Sequence, residues 1–214
     1  MKRFIPLIAI ICSYLAPAQA EITEYDFELI IFEDTSGRYA NSEQWQYELP
    51  EQIAEAMTAK TATKDTDAVL NISPIKGIGL NRYAKKLKSS KRYNVLVHKA
   101  WRQTGLADDE AIDMPIDSRK SNTVNSTGDV NNIHGSIKIV LGRYLHIYTD
   151  LIYQQPRTDT APVQYGQSQQ HKEYPINFHR RMRSKELHYL DHPLVGILVM
   201  AKPVKRQEAS QEST

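Results

Sequence analysis

Apolar and polar residues alternate with a period of two in several places along the chain, and each such stretch predicts a strand. In YDFELIIFE, Tyr25 to Glu33, Phe27, Leu29 and Ile31 face one way against Asp26, Glu28 and Ile30. YNVLVHKAWRQ, Tyr93 to Gln103, sets Val95, Val97, Lys99 and Trp101 against Leu96, His98, Ala100 and Arg102. Ile137, Ile139 and Leu141 alternate with polar neighbours, and Leu145, Ile147, Thr149 and Leu151 do so again beyond Gly142. A type II′ hairpin at Gly142 fits this break, and one long bulged strand is the competing reading. Ile176, Phe178, Arg180 and Met182 continue the alternation, and the apolar run Leu194 to Met200, between Pro193 and Pro203, predicts a strand buried on both faces. Asp191, His192 and Pro193 form the turn feeding that run.

One stretch has a different period. Leu80, Tyr83, Ala84 and Leu87 are spaced three, one and three apart, which is one face of an amphipathic helix, with Lys85, Lys86, Lys88, Lys91 and Arg92 opposite it and beyond its end. Trp45, after the turn cluster Asp34 to Gly37, is a candidate core cap. Segments near 57–67, 117–133 and 154–172 lack a period and read as loops, the last as a hairpin tip. These elements predict an α+β fold, a mainly antiparallel sheet with one or two helices packed on one face. A ferredoxin-like or related split arrangement is the expected topology.

The first twenty residues stand apart from this pattern. MKRFIPLIAIICSYLAPAQA has two cations, a short apolar core and small residues at an A-x-A site, the signature of a secretory signal peptide. Its apolar run is too short to span a bilayer, so no membrane span is expected after cleavage at Ala20. Residues 21–204 then form a single domain, with 205–214 a solvated tail. Cys12, the only cysteine, lies in the leader, and Ala9 and Ile11 do not match a lipoprotein site. Without Lys2 and Arg3 the 27 basic residues become 25, equal to the 25 acidic ones. A neutral, exported chain is a poor match to nucleic acid.

Catalytic chemistry finds little support in the residue pattern. The seven histidines form no H-E-x-x-H or H-x-H, and the nearest to a zinc set is His188, Asp191 and His192. Asp113, Asp117, Asp150 and Asp191 are available as paired acids but lie in no recognisable pattern. There is no G-x-S-x-G elbow and no cysteine nucleophile after the leader. The expectation is a protein with no enzymatic activity, no metal and no cofactor. Rings and guanidiniums are better supplied: Trp101, Tyr144, Tyr148 and Tyr189 offer faces to sugars, and Arg102, Arg143, Arg180, Arg181 and Arg183 offer forks to carboxylates. In YLHIYTD, Tyr144, His146 and Tyr148 share a strand face. The same rings could equally pack as cross-strand pairs.

Three segments carry a resemblance: HKAWRQ at 98–103, GSIKIVLGRYLHIYTDL at 135–151 and RRMRSKELHYLDHPLVGILV at 180–199, behind a signal peptide and the strand YDFELIIFE. Together they resemble the CsiV family of periplasmic proteins. The resemblance implies a noncatalytic, peptidoglycan-binding accessory factor in cell-wall synthesis and cell shape in Gram-negative bacteria. As protein partners it implies a bifunctional penicillin-binding protein and its outer-membrane lipoprotein activator. Sugar chains bearing stem peptides with carboxylates call for rings beside arginines. The candidate ligand-binding residues are therefore Trp101, Arg102, Tyr144, His146, Tyr148, Arg181, Arg183 and Tyr189, expected on one surface. The alternative function is a protein-interaction adaptor for a murein synthase or its lipoprotein activator, without direct glycan binding.

Overall fold

The computed structural model describes residues 24–36, 72–121, 131–156 and 171–204. They form nine strands and two helices: β1 (Glu24–Asp34), β2 (Ser73–Pro74), α1 (Asn81–Ser89), β3 (Tyr93–Thr104), β4 (Asp113–Asp117), α2 (Ser118–Ser121), β5 (Asn132–Leu141), β6 (Leu145–Pro156), β7 (His171–Met182), β8 (Leu187–Asp191) and β9 (Val195–Pro203). The strands make two sheets, ordered β2-β3-β1-β9-β8 and β4-β5-β6-β7, and every pairing is antiparallel. The chain crosses to the second sheet after β3 and returns between β7 and β8.

The two sheets share one core. Phe27, Leu29 and Ile31 of β1, Trp101 of β3 and Ile197 and Val199 of β9 meet Ile133 and Ile137 of β5, Ile147 and Leu151 of β6 and Ile176 of β7. The period of two in each strand puts these side chains on one face. β1 is central and buried on both sides: its other face places Ile30 and Phe32 under Ala84 of α1 and Leu80 just before it. The mainly antiparallel α+β expectation, with a helix on one face, therefore holds. The ferredoxin-like arrangement does not appear among the described residues, because such a fold rests on one sheet backed by two helices and here the strands divide between two packed sheets.

Several local readings change for identifiable reasons. In β3 the alternation breaks at a bulge: Ile31 pairs with Val97 and Phe32 with Val95, which leaves Leu96 as the extra residue. Leu96 and Val97 both join the inter-sheet core, while Val95 turns to the helix side. Burying Leu96 contributes about 2 kcal/mol, more than the ~1 kcal/mol of one lost ladder hydrogen bond. Asp113 to Asp117, for which no strand is expected, forms β4 with Met114 and Ile116 buried inside it, and α2 opens the segment at 117–133 expected as a loop. LHYLD, expected to lead into a turn, is itself strand β8. The hairpin at Gly142 exists, but Leu141 pairs with Leu145, so the loop has three residues, and Gly142 does not have the positive φ of a type II′ turn. Trp45, the loop at 57–67, the hairpin tip beyond Pro156, the leader and the tail lie outside the described residues.

Candidate functional site

The outer face of the four-stranded sheet concentrates the chemistry. Alternation along β6 that sends Leu145, Ile147, Thr149 and Leu151 inward sends His146, Tyr148 and Asp150 outward. β7 does the same with Asn177, His179 and Arg181, and β5 with Lys138. Register then sets the rows: Asp113, Lys138, Tyr148 and His179 lie side by side across four strands, and His146 lies opposite Arg181. Both edge strands of this sheet carry a proline, Pro115 in β4 and Pro175 in β7. A proline lacks the N–H that strand addition needs, so pairing is disfavoured at those two positions.

The side chains on this face touch one another. The Tyr148 and His179 rings stack with centroids 4.2 Å apart and planes within 2°. His146 Nδ1 and His179 Nε2 share a hydrogen bond of 2.9 Å. The Lys138 ammonium sits 5.1 Å over Tyr148 and donates to Asp108 at 2.9 Å, a bond that raises its pKa. Tyr144, in the β5–β6 turn and 43 % exposed, has the Arg181 guanidinium 4.6 Å and the Arg143 guanidinium 5.6 Å from its ring centre. At the other end, Asp113, Lys138, Tyr148, Asp150, Asn177 and His179 line a depression of about 450 Å³.

The candidate residues do not all gather here. Tyr144, His146, Tyr148 and Arg181 do. Arg183 lies just past the end of β7, beside the same hairpin end, and its exposed guanidinium is 3.7 Å from Glu186. Trp101 is fully buried between the sheets, stacked 5.4 Å from Phe27, with its N–H donating to Gln103 at 2.7 Å. It has no face to offer a ligand, because unbroken register from Val97 puts it opposite Phe27 on the core side of β3. Arg102 is on the outer face of the other sheet, where its guanidinium donates to both oxygens of Asp26 at 2.6 and 3.0 Å.

Tyr189 also belongs to the five-stranded sheet. It stacks on Phe32 at 6.4 Å and donates its hydroxyl to Asp191, and burial together with that carboxylate raises its pKa. With Tyr93, Arg92, Asp34 and His192 it lines a cleft of about 420 Å³. Burial pushes the His192 imidazole down to about 4, against the opposing charge of Asp191. The three residues of the zinc hypothesis do not converge: His188 turns inward and bonds the Arg183 backbone, while Asp191 is exposed on the opposite side of β8. Among the described residues no three metal-ligating side chains cluster.

Sequence reading missed Lys138, Asp150, Asn177 and His179 as parts of the face. His179 sits in a recognised alternation, so its side was legible, but the partner strand was not, and only the register brings it to Tyr148.

A sequence model described as the peptidoglycan-binding protein CsiV matches residues 3–204. The chain belongs to the CsiV family. No curated protein and no solved structure matches it. In this CsiV-family chain the match covers both sheets and all of the described face, so the ring-and-cation rows lie within the family's own span. No helix among the described residues is long and apolar enough to cross a membrane.

Proposed function

We propose that this CsiV-family chain is an exported, noncatalytic protein that binds peptidoglycan through the outer face of its four-stranded sheet. In this reading residues 1–20 are a signal peptide cleaved in transit to the periplasm, residues 21–204 are the binding domain and residues 205–214 are a tail. Binding would support cell-wall synthesis and cell shape. The observation that carries the reading is the exposed cluster of Arg143, Tyr144 and Arg181 beside the Tyr148–His179 stack. Guanidinium forks suit the polymer's carboxylates. The family's description as peptidoglycan-binding supplies the ligand class.

A second reading is favoured by Leu187 and Tyr189, which are exposed on edge strand β8 beside the cleft at Phe32. Exposed rings next to a cleft also suit a protein partner, and a bifunctional penicillin-binding protein or its outer-membrane lipoprotein activator is the candidate. Cosedimentation of the processed chain with protein-free sacculi tests both. Arg143→Ala combined with Arg181→Ala is expected to weaken pelleting at least about tenfold in low salt, with the circular dichroism spectrum unchanged. Undiminished pelleting of the folded double variant would remove this face from the site. No pelleting of the parent protein would favour the adaptor.

A further inference from the structure

We propose that the four-stranded face reads the peptide part of the wall polymer rather than its sugar rings, taking a short peptide that carries both free carboxylates and a free amine. The inference rests on the wall-binding reading above and sharpens its ligand. It follows from what the rings are doing and from how the charges are laid out.

A pyranose stacks on an open aromatic face. Tyr148 has none, because His179 of β7 covers one side of its ring and the Lys138 ammonium of β5 approaches the other. Tyr144 has two guanidiniums against its ring. A ligand laid on this face therefore meets ring edges, hydroxyls and charged tips, which are groups that select hydrogen-bonding and ionic partners.

The charges are sorted along the strands. At the hairpin end, Arg143 and Arg181 have no carboxylate partner among the described residues. Toward the far end, the Asp150 carboxylate stands in register with Asn177, and Asp113 lies in the same depression, one strand beyond Ser136. Among the described residues the lysine or arginine lining that depression is Lys138, and it is already bridged to Asp108. From Arg181 to Asn177 along β7 is four residues, about 13 Å in a strand. An extended peptide of about four residues reaches from one end to the other, carboxylate on the arginines and ammonium at Asp150. A uniformly anionic polymer would gain nothing from Asp150.

That last point supplies the test. Sacculus binding of the processed chain is measured for the parent, Arg181→Gln and Asp150→Asn, with competition by soluble peptides released from the wall and by peptide-free glycan chains. Both variants are expected to lose at least about fivefold in affinity, and only the peptides should compete. Tighter or unchanged binding by Asp150→Asn, as a simple anion-binding surface would show, overturns the proposal, and so does competition by peptide-free glycan equal to that of the peptides. In those outcomes the wall-binding reading survives. Failure of the parent to bind sacculi at all overturns the wall-binding reading and this one with it.

Discussion

Glu28 is a carboxylate with no exposed surface in the middle of a central strand. Its Oε2 accepts the backbone N–H groups of Ile78, Gly79 and Leu80 at 2.7, 2.8 and 2.8 Å, and its Oε1 meets His98 Nε2 at 2.8 Å. The three N–H groups lie in the turn that leads into α1, which has no side-chain cap of its own. A strand residue 52 positions away thus satisfies the N-cap donor, Leu80, that a helix start leaves orphaned, together with the two N–H groups before it. Burial alone would raise the Glu28 pKa, but the bonds from Leu80, His98, Gly79 and Ile78 outweigh it, and the net shift is downward. A lowered pKa means stability that is fully present above the unfolded value near 4.3 and lost as pH falls through the folded value. Asp34, held low by the Arg92 guanidinium, has the same sign. Glu28→Gln keeps the shape but turns an acceptor into a donor facing backbone N–H groups. It should cost about 2 kcal/mol at pH 7 in urea unfolding, and the gap to the parent should narrow at pH 3. A gap that stays constant with pH would show that the carboxylate charge is not what matters.

At the scale of elements, β5 and β6 carry the centre of the candidate face, and Gly135 allows their close approach beside Asp150. Its φ is +132°, and a Cβ there would lie 2.2 Å from the Asp150 carbonyl oxygen and 2.9 Å from the Leu151 Cα. Backbone cannot move aside as a side chain can. Gly135→Ala should therefore cost about 3 kcal/mol in chemical denaturation, and loosen the Asp150 end of the face more than the Tyr144 end. Amide exchange along β6 would read that gradient, and uniform protection would contradict it. The same elements separate what was legible from what was not. α1, β5, β6 and β7 announce themselves by a regular period with one apolar side, and β1, β3 and β9 by apolar stretches of strand length. β4 does not, since Pro115 interrupts five residues whose only signal is the pair Met114 and Ile116. β8 was hidden by its closing acid, Asp191, and by the histidine and proline that follow it. Arg181 and His146 could be named from residue type, but the meeting of His146 with His179 depends on a strand pairing between residues 33 positions apart. Nothing local encodes that.

For the whole molecule, the decisive feature is that two sheets press on one core, so a ring chosen as a ligand platform can be absorbed as filling. Trp101 is that ring. It stacks on Phe27 inside the cluster that joins both sheets, and Gln103 satisfies its indole N–H. The candidate binding face lies on the far side of the four-stranded sheet, with β5, β6 and β7 between them. The two roles therefore predict opposite behaviour. Trp101→Leu removes aromatic volume and orphans a buried amide oxygen, which should cost about 3 kcal/mol and lower Tm by roughly 10 °C. Sacculus binding per folded molecule, measured well below the new Tm, should stay within about twofold of the parent, because no group on the outer face has changed. A stable Trp101→Leu protein with lost binding would return the indole to the site and contradict the sandwich. An unstable protein with intact binding would place the ligand on the outer face alone, and would mean that the aromatic content of such a chain divides between two tasks according to strand parity.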